Sequence, residues 1–220
     1  MKRLVATLIV ITACGAVLVP VGGQSPAVEK DLDARVRAFL DANRYNWRDM
    51  NVPESDGQLL HDLVVKGSYT RALEIGTSTG RSGVWIAWAL SKTGGKLITI
   101  DIDEGRHREA VQNFKEAGVA AFIDARLADA HDLVPKLSGP FDFVFIDADK
   151  DWYTNYAKAV LPKLAAGGCM TAHNVYVSQR GGRRRGGFGM GGDYYDYVAG
   201  QPFLETTVTP GGLAISYKKD

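Results

Sequence analysis

The chain has 220 residues, of which 45% are hydrophobic and 23% are charged, and its formal net charge is +1. This composition is that of a globular domain with a sizeable core and excludes a disordered chain. A net charge so close to zero gives no general reason to expect nucleic acid or a membrane surface as a partner.

The first 24 residues differ from the rest of the chain. Lys2 and Arg3 precede an apolar run without charges from Leu4 to Val21, and small residues follow. This order is typical of an export signal. The run is also long enough for an uncleaved membrane anchor, and residues 11–14, ITAC, resemble a lipoprotein cleavage box. All three interpretations remain open.

The predicted organisation is therefore a signal peptide or anchor over residues 1–24 and one domain over residues 25–220. The protein is expected to be exported, either periplasmic or secreted, or to be held in a membrane through residues 4–21. Removal of the signal would leave Cys169 as the one cysteine, so an internal disulfide is not expected. Cys169 lies in an apolar stretch and is predicted to be a buried core residue.

The next segments have helical periodicity. Apolar positions at helical spacing predict a helix over residues 26–43, with Ser25 as its cap. A second helix is predicted in LLHDLVV, and Ser55 and Gln58 precede it at the spacing of a capping box.

From residue 71 onward, short apolar strands alternate with amphipathic helices. The predicted strands are RALEIG, KLITID, AAFIDARL, FDFVFID and GGCMTAH. The predicted helices are RSGVWIAWALS, EGRHREAVQNFKEAG, AHDLVPKL and WYTNYAKAVLPKL. Such alternation predicts an α/β fold, with a parallel sheet covered by helices on both faces. FLETTVT and GLAISYK, separated by PGG, predict a closing antiparallel pair of strands.

The stretch LEIGTSTGRS joins the first strand of this series to its helix. Gly76 and Gly80 allow the backbone to approach a ligand closely, and the helix that follows offers free amides. The spacing G-x-x-x-G matches neither the dinucleotide motif nor a phosphate loop. Asp101 ends the next strand, where it can either cap a helix or accept both hydroxyls of a ribose. The second alternative predicts a nucleoside ligand without a pyrophosphate, such as S-adenosylmethionine.

Four stretches of the chain resemble the class I, cation-dependent O-methyltransferases, which include the caffeoyl-CoA and catechol enzymes. They are NVPESDGQLL, LEIGTSTGRS, ITIDID and FDFVFIDADKDWYTNY, of which DADKDWY is the most specific part. The resemblance runs from about Met50 to Lys218. It implies a Rossmann-like fold with a seven-stranded, mostly parallel sheet, and it suggests a homodimer. It also implies methyl transfer from S-adenosylmethionine to a hydroxyl of a small phenolic or catechol-like acceptor.

The resemblance assigns roles to single residues. It implies that Lys150 is the general base and that Asp147 is the first metal-binding aspartate. The cofactor-binding residues that it implies are Met50, Val52, Glu74, Gly76, Ser78, Gly80, Ser82, Asp101, Ala128, Asp129 and Asp147.

One pair departs from the family. The family takes a second aspartate and an asparagine from the end of the fifth strand as metal ligands, and here the pair is His173 and Asn174. Because magnesium and calcium prefer oxygen ligands, His173 does not favour Mg²⁺. Either the site has changed to a transition metal, held by Asp147, His173 and Asn174, or it has lost its metal and His173 acts as a base.

Residues 180–192, RGGRRRGGFGMGG, follow this pair and cannot build a core. A flexible spacer, a lid that attracts an anionic acceptor and an RNA-contacting segment are the alternatives. Two other functions also remain open: methylation of tRNA, and ligand binding without catalysis by an exported relative. An export signal argues against nucleic acid as the partner, because tRNA is cytosolic.

Overall fold

The structure is a computed structural model that describes residues 26–47, 50–176 and 192–219. The predicted signal or anchor at residues 1–24 and the glycine- and arginine-rich residues 180–191 lie outside the described residues. Within the part of the chain that is described, no helix is long and apolar enough to cross a membrane.

Seven strands form a single sheet in the order β3-β2-β1-β4-β5-β7-β6. The first five strands are parallel, and β7 lies antiparallel between β5 and β6. The predicted seven-stranded, mostly parallel sheet is thus confirmed. Its strands are β1 (Arg71–Ile75), β2 (Lys96–Asp101), β3 (Ile123–Leu127), β4 (Phe141–Ile146), β5 (Leu164–Ala172), β6 (Leu204–Val208) and β7 (Ala214–Lys218).

Helices cover both faces of the sheet, as predicted. They are α1 (Pro26–Ala42), α2 (Glu54–Gly67), α3 (Arg81–Thr93), α4 (Glu104–Ala117), α5 (Ala130–Leu133), α6 (Tyr153–Val160) and α7 (Gly192–Ala199). Successive residues of β4 enter different clusters, because side chains of a strand alternate between its faces. Phe143 and Phe145 pack with α2 and α3, whereas Val144 and Ile146 pack with α6 and α7. Cys169 is fully buried in β5, as expected, and burial raises the pKa of its thiol to about 12.

Three local predictions were wrong. Helix α2 begins at Glu54 after Pro53, so Ser55 lies inside its first turn and no capping box forms. Strand β3 begins only at Ile123, because a turn of 3₁₀-helix occupies residues 120–122. Helix α7 was not predicted, since it has only eight residues and directly follows the glycine-rich segment.

Candidate active site

The residues predicted to form the site lie in one row along the carboxyl edge of the sheet, where β1 to β5 end. Backbone N–H groups just past four of these strands donate to carbonyls at the end of a neighbouring strand. They are those of Gly76, Ala128, Asp147 and His173, at 3.0, 2.9, 2.8 and 3.0 Å. Because the backbone hydrogen bonds between neighbouring strands continue past the strand ends, the loops that carry the site begin at fixed positions.

The turn after β1 has a backbone that only small residues fit. Gly76 has a φ of +96°, and a Cβ there would lie 2.3 Å from the backbone oxygen of Asp147. Gly80 has a φ of +97° and precedes α3; glycine itself offers no cap, and Oδ1 of Asn51 accepts the backbone N–H of Arg81 at 3.3 Å. The chain therefore passes directly against the loop after β4, where only glycine fits.

Asp101 holds this turn from the end of β2. Its Oδ2 accepts a hydrogen bond of 2.7 Å from the backbone N–H of Ser78, whose φ is +48°. Its Oδ1 accepts one of 2.9 Å from the backbone N–H of Asp103. An ionised carboxylate has about four acceptor positions, so Asp101 keeps capacity for further donors such as ribose hydroxyls. The sequence predicted the position of this acid but not that it braces the turn.

Glu74 lies beneath the turn and is fully buried. Its Oε2 accepts a hydrogen bond of 2.5 Å from Thr99, and Ser82 also hydrogen-bonds to the carboxyl group. Its Oε1 has no hydrogen-bond partner among the described residues. Burial raises the pKa of Glu74 to about 7, against the lowering effect of the Ser82 and Thr99 hydrogen bonds. A buried polar atom without a partner is costly, which indicates that this oxygen faces a ligand or water.

The raised pKa predicts a pH dependence of stability. Because the pKa of Glu74 rises from 4.5 to about 7 on folding, the native state binds this proton more tightly than the unfolded state. Its contribution to the free energy of unfolding therefore falls by about 3 kcal/mol as the pH rises through that window, and stays constant above it. We expect Glu74→Gln to lack this slope in urea unfolding measured between about pH 5 and about pH 8. Parallel pH profiles for the variant and the wild type would contradict this assignment.

The segment before α2 packs against the same turn. Met50 is 70% exposed with a φ of +46°, whereas Val52 is buried. The Asn51 side chain donates to the hydroxyl of Thr79 at 2.8 Å, and the Arg81 guanidinium donates to the carbonyl of Val52 at 3.1 Å. The structure thus brings the predicted residue Val52 to the start of α3, whereas the described contacts do not include Met50.

At the β3 end of the row, Ala128 is partly buried and Asp129 caps the short helix α5. One oxygen of Asp129 accepts the backbone N–H of His131 at 2.8 Å. The ring of His131 stacks on Trp152 at 3.7 Å. Ile102, next to Asp101, is 69% exposed.

The loop after β4 forms the other half of the site. Lys150 donates to Oδ1 of Asp147 at 2.8 Å and also contacts the hydroxyl of Tyr153. Tyr153 is fully buried at the start of α6, and its hydroxyl donates to the carbonyl of His173 at 3.2 Å. The role of Tyr153 was missed, although the residue lies inside the motif DADKDWY.

His173 is held between two aspartates. Its Nδ1 lies 3.2 Å from Oδ2 of Asp147, and its Nε2 lies 3.0 Å from Oδ2 of Asp56 in α2. Burial lowers the pKa of His173, but the hydrogen bond and charge of Asp147 and the charge of Asp56 outweigh it and raise the pKa. Burial likewise opposes ionisation of Asp147, yet His173 and Lys150 hold its pKa below the usual value. We call Asp56, Asp147, Lys150 and His173 the charge cluster.

The residues predicted as metal ligands do not fit a divalent cation in this arrangement. Both nitrogens of His173 and both oxygens of Asp147 are engaged by other side chains of the charge cluster. Asn174 has a φ of +58°, and its side-chain oxygen accepts from Tyr176 at 3.4 Å. Among the residues that the structure describes, no three His, Cys, Asp or Glu side chains are arranged to hold a metal ion.

Asp56 is the member of the charge cluster that sequence analysis missed. It lies in the stretch NVPESDGQLL, which carried the resemblance without a role for this residue. It is separated from His173 by 117 positions, so no local spacing relates the two residues.

Comparison with known proteins agrees with this geometry. Residues 26–180 match the model of a family described as O-methyltransferase. This chain belongs to the O-methyltransferase family. It is 36% identical over 130 residues to the catechol O-methyltransferase of Niastella koreensis and 33% identical over 137 residues to the caffeoyl-CoA O-methyltransferase 1 of Eucalyptus globulus. These matches cover 57% and 60% of this chain but only 58% and 55% of those relatives.

Solved structures match over more of the chain. The O-methyltransferase from Bacillus cereus, in complex with SAH, superposes with a TM-score of 0.71 at 25% identity, covering 88% of this chain and 97% of that one. The O-methyltransferase TomG from Streptomyces achromogenes, in complex with SAM, gives a TM-score of 0.70 at 26% identity, covering 88% and 96%.

Proposed function

We propose that this protein is an enzyme that transfers a methyl group from S-adenosylmethionine to a hydroxyl oxygen of a small phenolic or catechol-like acceptor. The observation that carries the proposal is the contact between the two halves of the site. Gly76 in the turn lies directly against the backbone of Asp147, which is part of the charge cluster. A cofactor held by the turn would therefore lie beside the charged groups that meet the acceptor. The printed names of the catechol and caffeoyl-CoA relatives support this acceptor class.

The cradle at β1 and β2 fits the cofactor. The glycine turn leaves room for close approach, Asp101 has acceptor capacity left, and Oε1 of Glu74 has no partner among the described residues. Bound S-adenosylmethionine would supply an activated methyl group on a sulfonium sulfur. The turn, with Ser78 and Ser82, would hold its methionine part, Asp101 its ribose, and Ala128 and Asp129 its adenine, while Met50 and Val52 would flank the methyl group.

On the acceptor side, we assign Lys150 the task of holding and stabilising the reacting oxygen. The resemblance implies a general base, which must be a neutral amine, whereas Lys150 forms an ion pair with Asp147 at 2.8 Å, as an ammonium does. An ammonium fixed in this way stabilises the negative charge that develops as a hydroxyl of the acceptor loses its proton to water. Asp147 and Tyr153 keep the ammonium in place, and His173 closes the same wall of the site.

Removal of the Lys150 charge is expected to affect chemistry more than binding. We expect Lys150→Met to lower kcat by roughly 100-fold or more, since the loss of one preorganised electrostatic partner has an effect of this size. Binding of S-adenosylhomocysteine should change by less than about threefold, because the cradle is formed by other residues. Lys158→Met is the matched control, because Lys158 lies in α6, shortly after Lys150 in the chain but outside the charge cluster. Equal activity of the two variants would exclude Lys150 from the reaction.

The proposed reaction itself is tested by product analysis. The purified full-length protein is incubated with methyl-labelled S-adenosylmethionine and a panel of catechols, and the products are identified by mass spectrometry. Label on a phenolic oxygen of at least one acceptor is expected. Cofactor binding without label transfer to any catechol or simple phenol would contradict the acceptor class.

We further propose that residues 1–24 direct the protein to export or hold it in a membrane. The proposal rests on the basic start and the uncharged apolar run alone. Cell fractionation with sequencing of the amino terminus distinguishes the alternatives. A cleaved terminus near residue 25 in a soluble exported fraction supports a signal peptide, and an intact terminus in the membrane fraction supports an anchor. An intact chain in the cytosol would contradict both.

A further inference from the structure

We infer that the imidazole of His173, held by Asp56, occupies the place of a divalent cation, so that this protein binds no cation at its acceptor site. The inference deepens the proposed function and rests on it for the meaning of an acceptor site. The ion pairs of the charge cluster, from which it is argued, do not depend on which reaction the protein catalyses.

First, both carboxylate oxygens of Asp147 are already paired with charged or polar side chains. Its Oδ1 is bonded to the ammonium of Lys150 at 2.8 Å, and its Oδ2 lies 3.2 Å from Nδ1 of His173. A hard cation requires carboxylate oxygens at close range and keeps them in its coordination shell. A cation at either oxygen would therefore lie beside the Lys150 ammonium or the His173 ring, and repulsion from the ammonium opposes its binding.

The second step concerns the ring. A histidine binds a metal through a nitrogen that carries no proton. Here both nitrogens face carboxylate oxygens, one at 3.2 Å and the other at 3.0 Å. Both can be satisfied at once only if each nitrogen donates, and a ring that donates from both nitrogens has no lone pair for a metal.

The third step is the burial of the pair. The side chains of His173 and Asp56 are only 9% and 10% exposed. Pulling the ring away from Asp56 would leave this buried carboxylate with only the hydroxyl of Ser55, at 3.3 Å, and with no ion-pair partner, which is unfavourable. Asp56 is therefore a positioning residue that acts through His173. Asp56 lies on α2, whereas His173 lies just past the end of β5.

The test measures cation binding rather than activity. Full-length protein freed of metal with a chelator is titrated with Mn²⁺, and free Mn²⁺ is followed by electron paramagnetic resonance. The wild type is expected to bind no Mn²⁺ at this site up to millimolar concentration. His173→Asp supplies an oxygen ligand in place of the ring, and its affinity is expected to be at least about tenfold higher. His107→Asp, the same substitution on α4 away from the cluster, should behave as the wild type does.

Two results would overturn the inference. One is stoichiometric Mn²⁺ binding by the wild type that is lost in His173→Ala. The other is a folded His173→Asp that binds Mn²⁺ no better than the wild type, since the ring would then not be what keeps the cation out. If His173→Asp does not fold, His173→Asn takes its place with the same expected direction. S-adenosylhomocysteine binding, measured on the same samples, separates the two proposals: its absence counts against methyl transfer, whereas Mn²⁺ binding counts against this inference alone.

Discussion

Replacement of Gly76 with alanine is expected to abolish cofactor binding and to destabilise the fold. The φ of +96° is strained for any residue with a Cβ, and that Cβ would lie 2.3 Å from a backbone oxygen that cannot rotate away. Strain and the clash together should cost roughly 2–4 kcal/mol of unfolding free energy. For a domain of this size we expect a fall in Tm of roughly 5–15 °C.

Cofactor binding should be weakened more than the fold is destabilised. A displaced turn would break the hydrogen bond from the Ser78 N–H to Asp101, which holds the turn in place. We expect the affinity for S-adenosylhomocysteine, measured by calorimetric titration, to fall at least about 100-fold. Gly105→Ala is the matched control, since Gly105 lies in the first turn of α4 outside the left-handed region, and a Cβ there would meet one side-chain oxygen, Oδ1 of Asp103, at 3.1 Å rather than backbone. A Gly76→Ala protein that binds as the wild type does would show that the turn is not the cofactor cradle.

The second large effect is expected for Asp101→Asn. The two oxygens of Asp101 accept the N–H groups of Ser78 and Asp103. An asparagine has one oxygen, so one of these N–H groups would face an NH₂ group, donor against donor. The variant also loses the charge that a ribose-binding acid offers to two hydroxyls. We expect the Kd for S-adenosylhomocysteine to rise roughly 100-fold, with a smaller loss of stability.

Asp103→Asn is the control for this substitution. Asp103 lies two positions away on the same edge and caps α4 by accepting the N–H of Arg106 at 2.8 Å. Asparagine caps a helix as well as aspartate does, so Kd should stay within about threefold of the wild type. Similar weakening in both variants would indicate a general effect of charge at this edge rather than a specific role of Asp101.

The fold could be predicted from the sequence because its strands are short, continuous and apolar. β1, β2 and β4 lie in the centre of the sheet and are buried on both faces, which produces the uninterrupted apolar runs. The bounds of β3, which is only partly buried at the edge of the sheet, were predicted less accurately. The 3₁₀ turn before β3 has the same apolar composition as a strand, so its residues were taken as part of β3.

The cofactor half of the site was predictable for a related reason. Parallel strands end at one edge, so Gly76, Asp101 and Asp147 could be expected there from the order of elements alone. The charge cluster could not be predicted as a cluster. His173 was recognised as a departure from the family, but its meaning depends on Asp56, which α2 brings across from a distant part of the chain. Only the folded structure, in which α2 lies near the end of β5, shows that the Asp56 carboxylate pairs with the His173 ring.

Calorimetric titration of the full-length protein with S-adenosylhomocysteine, in the presence of a chelator, tests the central claim most directly. We expect binding in the micromolar range at one site per chain, together with a rise in Tm on addition of the ligand. Such binding would show that the cofactor site is formed without any divalent cation. No heat of binding and no shift of Tm at millimolar ligand would contradict the account that this chain is an S-adenosylmethionine-dependent methyltransferase.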